Sequence, residues 1–185
     1  MARSRKLILC KFLPYLQART GRAPEGALWI DVSSSAEDPL DQLSPFYAHG
    51  GIPIPGMGGA KSDSVEGIWQ GLKVIRGKTA PRFFHGNGQK RIGKPTGHQW
   101  GDSQRLLGRT EARRKIYLPA YRWMLEHRVD PVILEEFVHR AFRGIPQFFY
   151  DREDNGSLEK DRPLAHAKLL ADFVNQKIET QLENA

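Results

Sequence analysis

The stretch LSPFYAHGGIPIPGMGGAKSDSVEGIWQGLKV, residues 43–74, joins a Gly/Pro-rich loop to a short amphipathic segment, and the rest of the chain is read outward from it. Val65, Ile68, Leu72 and Ile75 recur at helical spacing and predict an apolar stripe. Ser62 or Ser64 is placed to cap that helix. Glu66, Trp69, Gln70 and Lys73 recur at i, i+3, i+4 and i+7 on another side. A carboxylate, an indole, an amide and an ammonium on one face fit a substrate pocket. The same spacing fits a solvated face on which Glu66 pairs with Lys73 across two turns. Phe46, Tyr47 and Trp69 are in the same way either stacking rings or plain core.

Outward from this segment, residues 26–32 (GALWIDV) read as a short strand and residues 39–59 as loop. Residues 77–101 are irregular and rich in Gly, Lys and Arg. Residues 103–128 are helical in pattern, with a break or kink expected before Pro119. Residues 131–143 predict an amphipathic helix with Val132, Ile133, Phe137, Val138 and Phe142 inward. A last helix is expected from Pro163, at the first helical position, to about Leu182. With no internal repeat and no linker, residues 1–185 read as one compact α+β domain, mostly helical, with few short strands.

The 39% apolar content of the 185 residues suits a packed core. No apolar run approaches the roughly 18 residues that span a bilayer. MARSRKLILCKFL at the N-terminus is basic and then briefly apolar, and no signal peptide is expected. The single cysteine, Cys10, makes no internal disulfide and no cysteine-based zinc site; a small buried hydrophobe in a cytoplasmic, reducing location is the expectation.

Charge is unevenly placed. Residues 1–22 carry six Lys/Arg and no acid, and residues 76–128 carry thirteen Lys/Arg against three acids. The stretches between and after them are net acidic. Such clustering in a chain of net charge +7 points to a polyanion, most simply nucleic acid; the alternative is a basic protein with solvated Arg-rich faces.

Two familiar patterns fail. GQKRIGKP, residues 88–95, is a near miss to a phosphate-binding loop, but Pro95 stands where a hydroxyl must hold magnesium. The loop is expected instead to present Lys90, Arg91 and Lys94 to phosphates. DREDNG, residues 151–156, opens like a calcium loop, but Arg162 stands at the twelfth position in place of a bidentate Glu. The six histidines include no His-x-x-x-His pair, so neither metal nor cofactor is expected. His166, near the start of a helix, faces either the core or a pocket, and a structural role is favoured.

The order Ser-Pro-Phe-Tyr, a Gly-bearing loop, then Ser-x-Glu-x-x-x-Gln-x-x-Lys resembles the NADAR family of small N-glycosidases. Ser44, Phe46, Tyr47, Ser64, Glu66, Gln70 and Lys73 carry the match. Pro45 replaces the family's Asn, Gly67 its usual His and Gly71 its Ala. Asp151 and Asn155 stand where the family has an Asp before Trp-Gly and a later Gly-x-Asn, although the Trp-Gly is absent here.

The resemblance implies hydrolysis of an N-glycosidic bond, with ADP-ribosylated guanine or related N-ribosyl compounds as family substrates. Such a reaction needs a carboxylate to stabilise an oxocarbenium-like sugar and to activate water, and a group to protonate the departing base. Glu66 and Lys73 are the catalytic candidates. Ser44, Phe46, Tyr47, Trp69, Gln70, Asp151 and Asn155 are the substrate-binding candidates. With the charge pattern, the leading expectation is a glycosidase acting on a modified base flipped out of DNA, as in defence against modified phage DNA. The alternatives are removal of ADP-ribose from guanine and a nucleic-acid-binding module without catalysis.

Overall fold

The structure, a computed structural model, describes residues 7–21 and 25–184. Four cations of the basic N-terminal segment (Arg3, Arg5, Lys6 and Arg22) lie outside the described residues. Helix holds 41% of residues and strand 12%, so the class is α+β and mostly helical, as read from the sequence. In chain order the strands are β1 (Lys11–Phe12), β2 (Leu28–Asp31), β3 (Ile52–Pro53), β4 (Lys61–Ser62), β5 (Lys73–Val74), β6 (Gly97–His98) and β7 (Gln147–Tyr150). The helices are α1 (Tyr15–Thr20), α2 (Val65–Leu72), α3 (Arg109–Ala112), α4 (Leu118–His127), α5 (Pro131–Phe142) and α6 (His166–Glu183), and a π turn (Arg113–Tyr117) joins α3 to α4. Packing groups the chain into two units. Among the described residues, those up to Leu43 belong with those from Asp130 onward, and Ser44–Val129 forms the other.

The first unit is built on a parallel sheet of order β1-β7-β2. Its central strand, QFFY, alternates buried and half-buried residues, as a period-two strand must. The Phe149 ring, fully buried, meets Phe137 of α5 at 4.8 Å between centroids. Asn175 on α6 accepts from the Cys10 amide at 2.8 Å and donates to its carbonyl at 2.9 Å, satisfying the backbone just before β1. Cys10 is buried beneath Gln147, and burial pushes its thiol up to about 12, which suits packing and not nucleophilic chemistry.

The sequence pattern misplaces parts of this unit. Helix α5 buries Ile133, Leu134, Phe137, Val138 and Ala141; Val132 is 65% exposed and Phe142 36%, so neither is core. Helix α6 begins at His166, three residues after Pro163. No side chain caps it from the preceding residue; Asp151 reaches in from the end of β7 and accepts from the Ala167 amide at 3.0 Å.

The second unit surrounds α2. Ser64 is its N-cap and accepts from the Gly67 amide at 3.1 Å. Val65, Ile68 and Leu72 are buried as the stripe predicts, each contributing roughly 1.5–3 kcal/mol. The helix stops at Leu72, one turn before the pattern suggests. Arg76 (φ 52°) and Gly77 (φ 72°) make a tight reversal in which Ile75 and Lys78 exchange backbone hydrogen bonds. That reversal leaves residues 73 and 74 extended, paired antiparallel with β6.

Residues 103–108 are not helical, since Leu107 pairs with His98 across a bridge. The break expected before Pro119 is a π turn instead. The Leu118 amide bonds back to Arg113 five residues earlier, and the helix passes a residue that has no N–H to give.

Helix α2 lies on the short 3₁₀ turn Pro81–Phe84 with almost no separation. A Cβ at Gly67 would stand 2.5 Å from the Phe83 carbonyl oxygen, and one at Gly71 would stand 2.1 Å from the Phe84 ring. Gly71→Ala is therefore expected to lower unfolding free energy by about 1–3 kcal/mol through overpacking. Gly58→Ala, where a Cβ meets nothing within 4 Å, is expected to stay within about 0.5 kcal/mol of wild type. Urea unfolding of both variants measures the difference.

Candidate functional site

The polar face of α2 is not solvated. Glu66 is 6% exposed and Gln70 2%. Gln70 Nε2 donates to Glu66, and Gln70 Oε1 accepts from Lys73 Nζ at 2.9 Å and from the Arg91 amide at 3.0 Å. The amide of Gln70 is thereby fixed in orientation, and Lys73 communicates with Glu66 through it. A charge-assisted bond to a buried carboxylate is among the stronger hydrogen bonds a protein makes. Burial pulls the Lys73 ammonium below its usual value; Glu66 opposes this, and Arg109, Lys90 and Arg91 add to it.

The Ser-Pro-Phe-Tyr turn docks on the start of α2. Ser44 Oγ accepts from the Phe46 amide at 3.2 Å, the Pro45 carbonyl accepts from the Glu66 amide at 2.8 Å, and the Phe46 carbonyl accepts from the Gly88 amide at 2.9 Å. Gly88 sits so close that a Cβ there would stand 2.5 Å from Glu66 Cβ. The two halves of the motif thus meet around Glu66, with Ser44 holding the turn and Phe46 half-buried beside it. Tyr47 is exposed and its ring lies 4.6 Å from that of His49.

Trp69 is half-buried. Its ring lies 3.8 Å from the His98 ring and meets Tyr117 edge-on at 5.6 Å. Sequence reasoning missed His98, because its link to this site runs through the β5–β6 ladder, where it is the direct partner of Lys73. His98 is 2% exposed, and neither ring nitrogen has a hydrogen-bond partner. Burial, then the charges of Lys73, Arg109 and Arg113, pushes it down to about 3, so the ring is neutral at ordinary pH. An unmet buried donor or acceptor costs about 1–3 kcal/mol. Arg113, at 3% exposure, was also invisible in the sequence pattern.

The three loop cations do not act alike. The Arg91 guanidinium donates to the carbonyls of Gln70, Lys73 and Lys78 and closes the end of α2, so it serves the backbone there. Lys90 and Lys94 are exposed, with Lys90 Nζ 6.0 Å from the Phe46 ring centre. The second unit carries fifteen Lys/Arg and five Asp/Glu. A cavity of about 820 Å³ in the first unit has the opposite character: Asp31, Glu37, Asp130 and Glu136 line it against one cation, Arg140.

Asp151 and Asn155, expected at the substrate, belong to the first unit and hold backbone. Asn155 accepts from the Ser157 amide and donates to the carbonyls of Ser157 and Arg162. Asp151 accepts from the amides of Glu153 and Ala167 and from His166 Nδ1 at 2.9 Å. His166 Nε2 lies 2.6 Å from the Val32 carbonyl oxygen, so both ring nitrogens face acceptors. His166 is structural, as expected. Among the described residues, no group of three or more His, Cys, Asp or Glu could hold a metal ion. No described helix is long and apolar enough to cross a membrane.

Burial works against the Asp151 charge, but the hydrogen bonds and charge of His166 and the two amides win and hold its carboxyl below the usual 3.8. A depressed carboxyl contributes stability that is present above the unfolded value and is lost as pH falls through the folded one. Wild-type unfolding free energy should therefore drop as pH falls below about 3.8, and Asp151→Asn should lack that step. At neutral pH the variant should be less stable by about 3 kcal/mol, because His166 loses its carboxylate. Urea unfolding across the acid range measures both.

A family model described as a family of unknown function, DUF6939, matches residues 15–170. No curated protein and no solved structure matches the chain.

Proposed function

We propose that this chain, which belongs to DUF6939, a family of unknown function, is a hydrolase of N-glycosidic bonds acting on a modified base in DNA. The observation that carries the reading is the buried Glu66–Gln70–Lys73 hydrogen-bond chain, placed in the strongly basic unit. The family description names no activity, so the reaction class rests on the resemblance to NADAR proteins and on this geometry.

In the proposed reaction the base–sugar bond breaks as positive charge grows on the sugar, beside the Glu66 carboxylate. A water molecule adds at the anomeric carbon and gives its proton to Glu66. The departing base takes a proton from the Lys73 ammonium, whose release is eased by burial. Gln70 keeps the acid and the base in register. Phe46 and Trp69 offer ring faces for a flipped base, and Tyr47 offers an exposed one at the rim. Lys90 and Lys94 are placed for phosphate contacts.

Glu66→Gln should keep the fold and lower turnover by about 10²–10⁴-fold. Mass spectrometry of molecules released from a panel of modified DNAs reads it. Abasic sites in the product support base excision. Restored guanine would assign the removal of ADP-ribose, and near-wild-type turnover in the folded variant would remove Glu66 from catalysis.

Replacing Lys90 and Lys94 together with Ala, and leaving Arg91 to close α2, should weaken DNA binding equally across sequences. The slope of log affinity against log salt should shrink by about two units. An unchanged slope would show that this loop does not meet the DNA backbone.

A further inference from the structure

Strand β2 is an edge of the parallel sheet and is paired on one side only. The Leu28 amide donates to the Pro146 carbonyl at 2.8 Å and the Val32 amide to the Tyr150 carbonyl at 3.0 Å. Alternate residues of a parallel strand share a direction, so Leu28, Ile30 and Val32 turn their backbone groups to β7, and Trp29 and Asp31 turn theirs away. Among the described residues nothing bonds to the outward amides of Trp29 and Asp31. The 820 Å³ cavity of the first unit runs along this edge: all four residues of β2 line it, and none of β7 does. One face of α5 forms its other wall. The floor is apolar, with Ile30, Ile133 and Phe137 buried, and Leu28 (37%) and Val132 (65%) are exposed apolar side chains beside it. The rim is acidic. Glu37, Asp130 and Glu136 are exposed and Asp31 is half-buried, while Arg140, the one cation of the lining, is already paired with Glu136 at 2.6 Å. Asp31 and Asp130 accept only from neutral backbone amides, of Ser33 and Val132, which leaves their charge uncancelled. These acids do not converge as metal ligands would, so the negative charge is spread along the groove.

We propose that this groove binds an extended peptide segment that alternates apolar and basic residues and adds to β2 as a fourth strand of the sheet. An open strand edge beside a helix is the setting in which a peptide gains main-chain hydrogen bonds from the edge and specificity from its alternate side chains. Here the main chain of the peptide meets the outward backbone groups of Trp29 and Asp31. Its side chains point to the two faces of the sheet in turn. The apolar ones continue the row of Leu28 and Ile30, and the basic ones continue the row of Asp31 toward the acidic rim. Four carboxylates against one paired guanidinium match a cationic partner and repel an acidic one. None of these residues takes part in the proposed glycosidic reaction.

The test titrates the full chain into a fluorescent decapeptide of alternating lysine and valine, reads binding by polarisation, and follows hydrogen exchange at the Trp29 and Asp31 amides by NMR. The expected result is saturable binding that weakens with added salt, with slower exchange at both amides once the peptide saturates the groove. A decapeptide of alternating glutamate and valine should not bind. The double variant Glu37→Gln, Glu136→Gln changes two exposed side chains and should keep the fold. It should lower affinity for the lysine peptide by about fivefold to tenfold, the scale of two exposed charge pairs. Absence of binding by the lysine peptide, or equal binding of the two peptides, would overturn the site. Binding that leaves both amides exchanging as in the free chain would place the peptide elsewhere and overturn strand addition. Slow exchange at both amides without peptide, lost on dilution, would assign the edge to a second copy of this chain and overturn the proposal as well.

Discussion

Helix α2 and the Pro81–Phe84 turn approach so closely that no Cβ fits at Gly67 or Gly71, and much of the second unit follows from that contact. With glycine at both positions the helix sinks into the unit until seven of its eight residues are buried. A helix sunk this far carries its polar face inward too. Glu66 and Gln70 then leave water and must find partners, since an unpaired buried charge is far costlier than a paired one. Gln70 answers by donating to Glu66 and accepting from Lys73 and from the Arg91 amide. The Arg91 side chain closes the far end of the same helix. Packing, capping and the candidate chemistry are thus one arrangement.

The same contact excludes side chains at both positions. A histidine at position 67 would collide with the Phe83 carbonyl, and an alanine at 71 with the Phe84 ring. His98 lies against Trp69, brought there by pairing of β6 with β5. Its neutrality follows from burial first and from the charges of Lys73, Arg109 and Arg113 second.

Charge separates the two units. The second holds the basic excess together with Glu66, whereas acids line the cavity of the first. The two units thus carry net charge of opposite sign. The first unit's buried polar groups have a different use. Asp151 and His166 tie the end of β7 to the start of α6 and to the end of β2, which is a structural task.

By itself the sequence determined the class of fold, a serine cap at position 62 or 64, the apolar stripe of α2, the extent of α5 and the clustering of positive charge. These are local or compositional: each rests on residues within a turn or two of one another, or on counting. Only the tertiary structure decided that Glu66 and Gln70 are buried, because burial depends on the Pro81–Phe84 turn and on two absent methyl groups. It also decided that Lys73 belongs to a strand, that Arg91 serves a helix end, and that Asp151 and Asn155 hold backbone. The central strand β7 was missed because its four residues are set by partners more than a hundred positions away. His98 was missed for a similar reason: a lone histidine has no pattern of its own, and its meaning comes from the strand beside it and the cations around it.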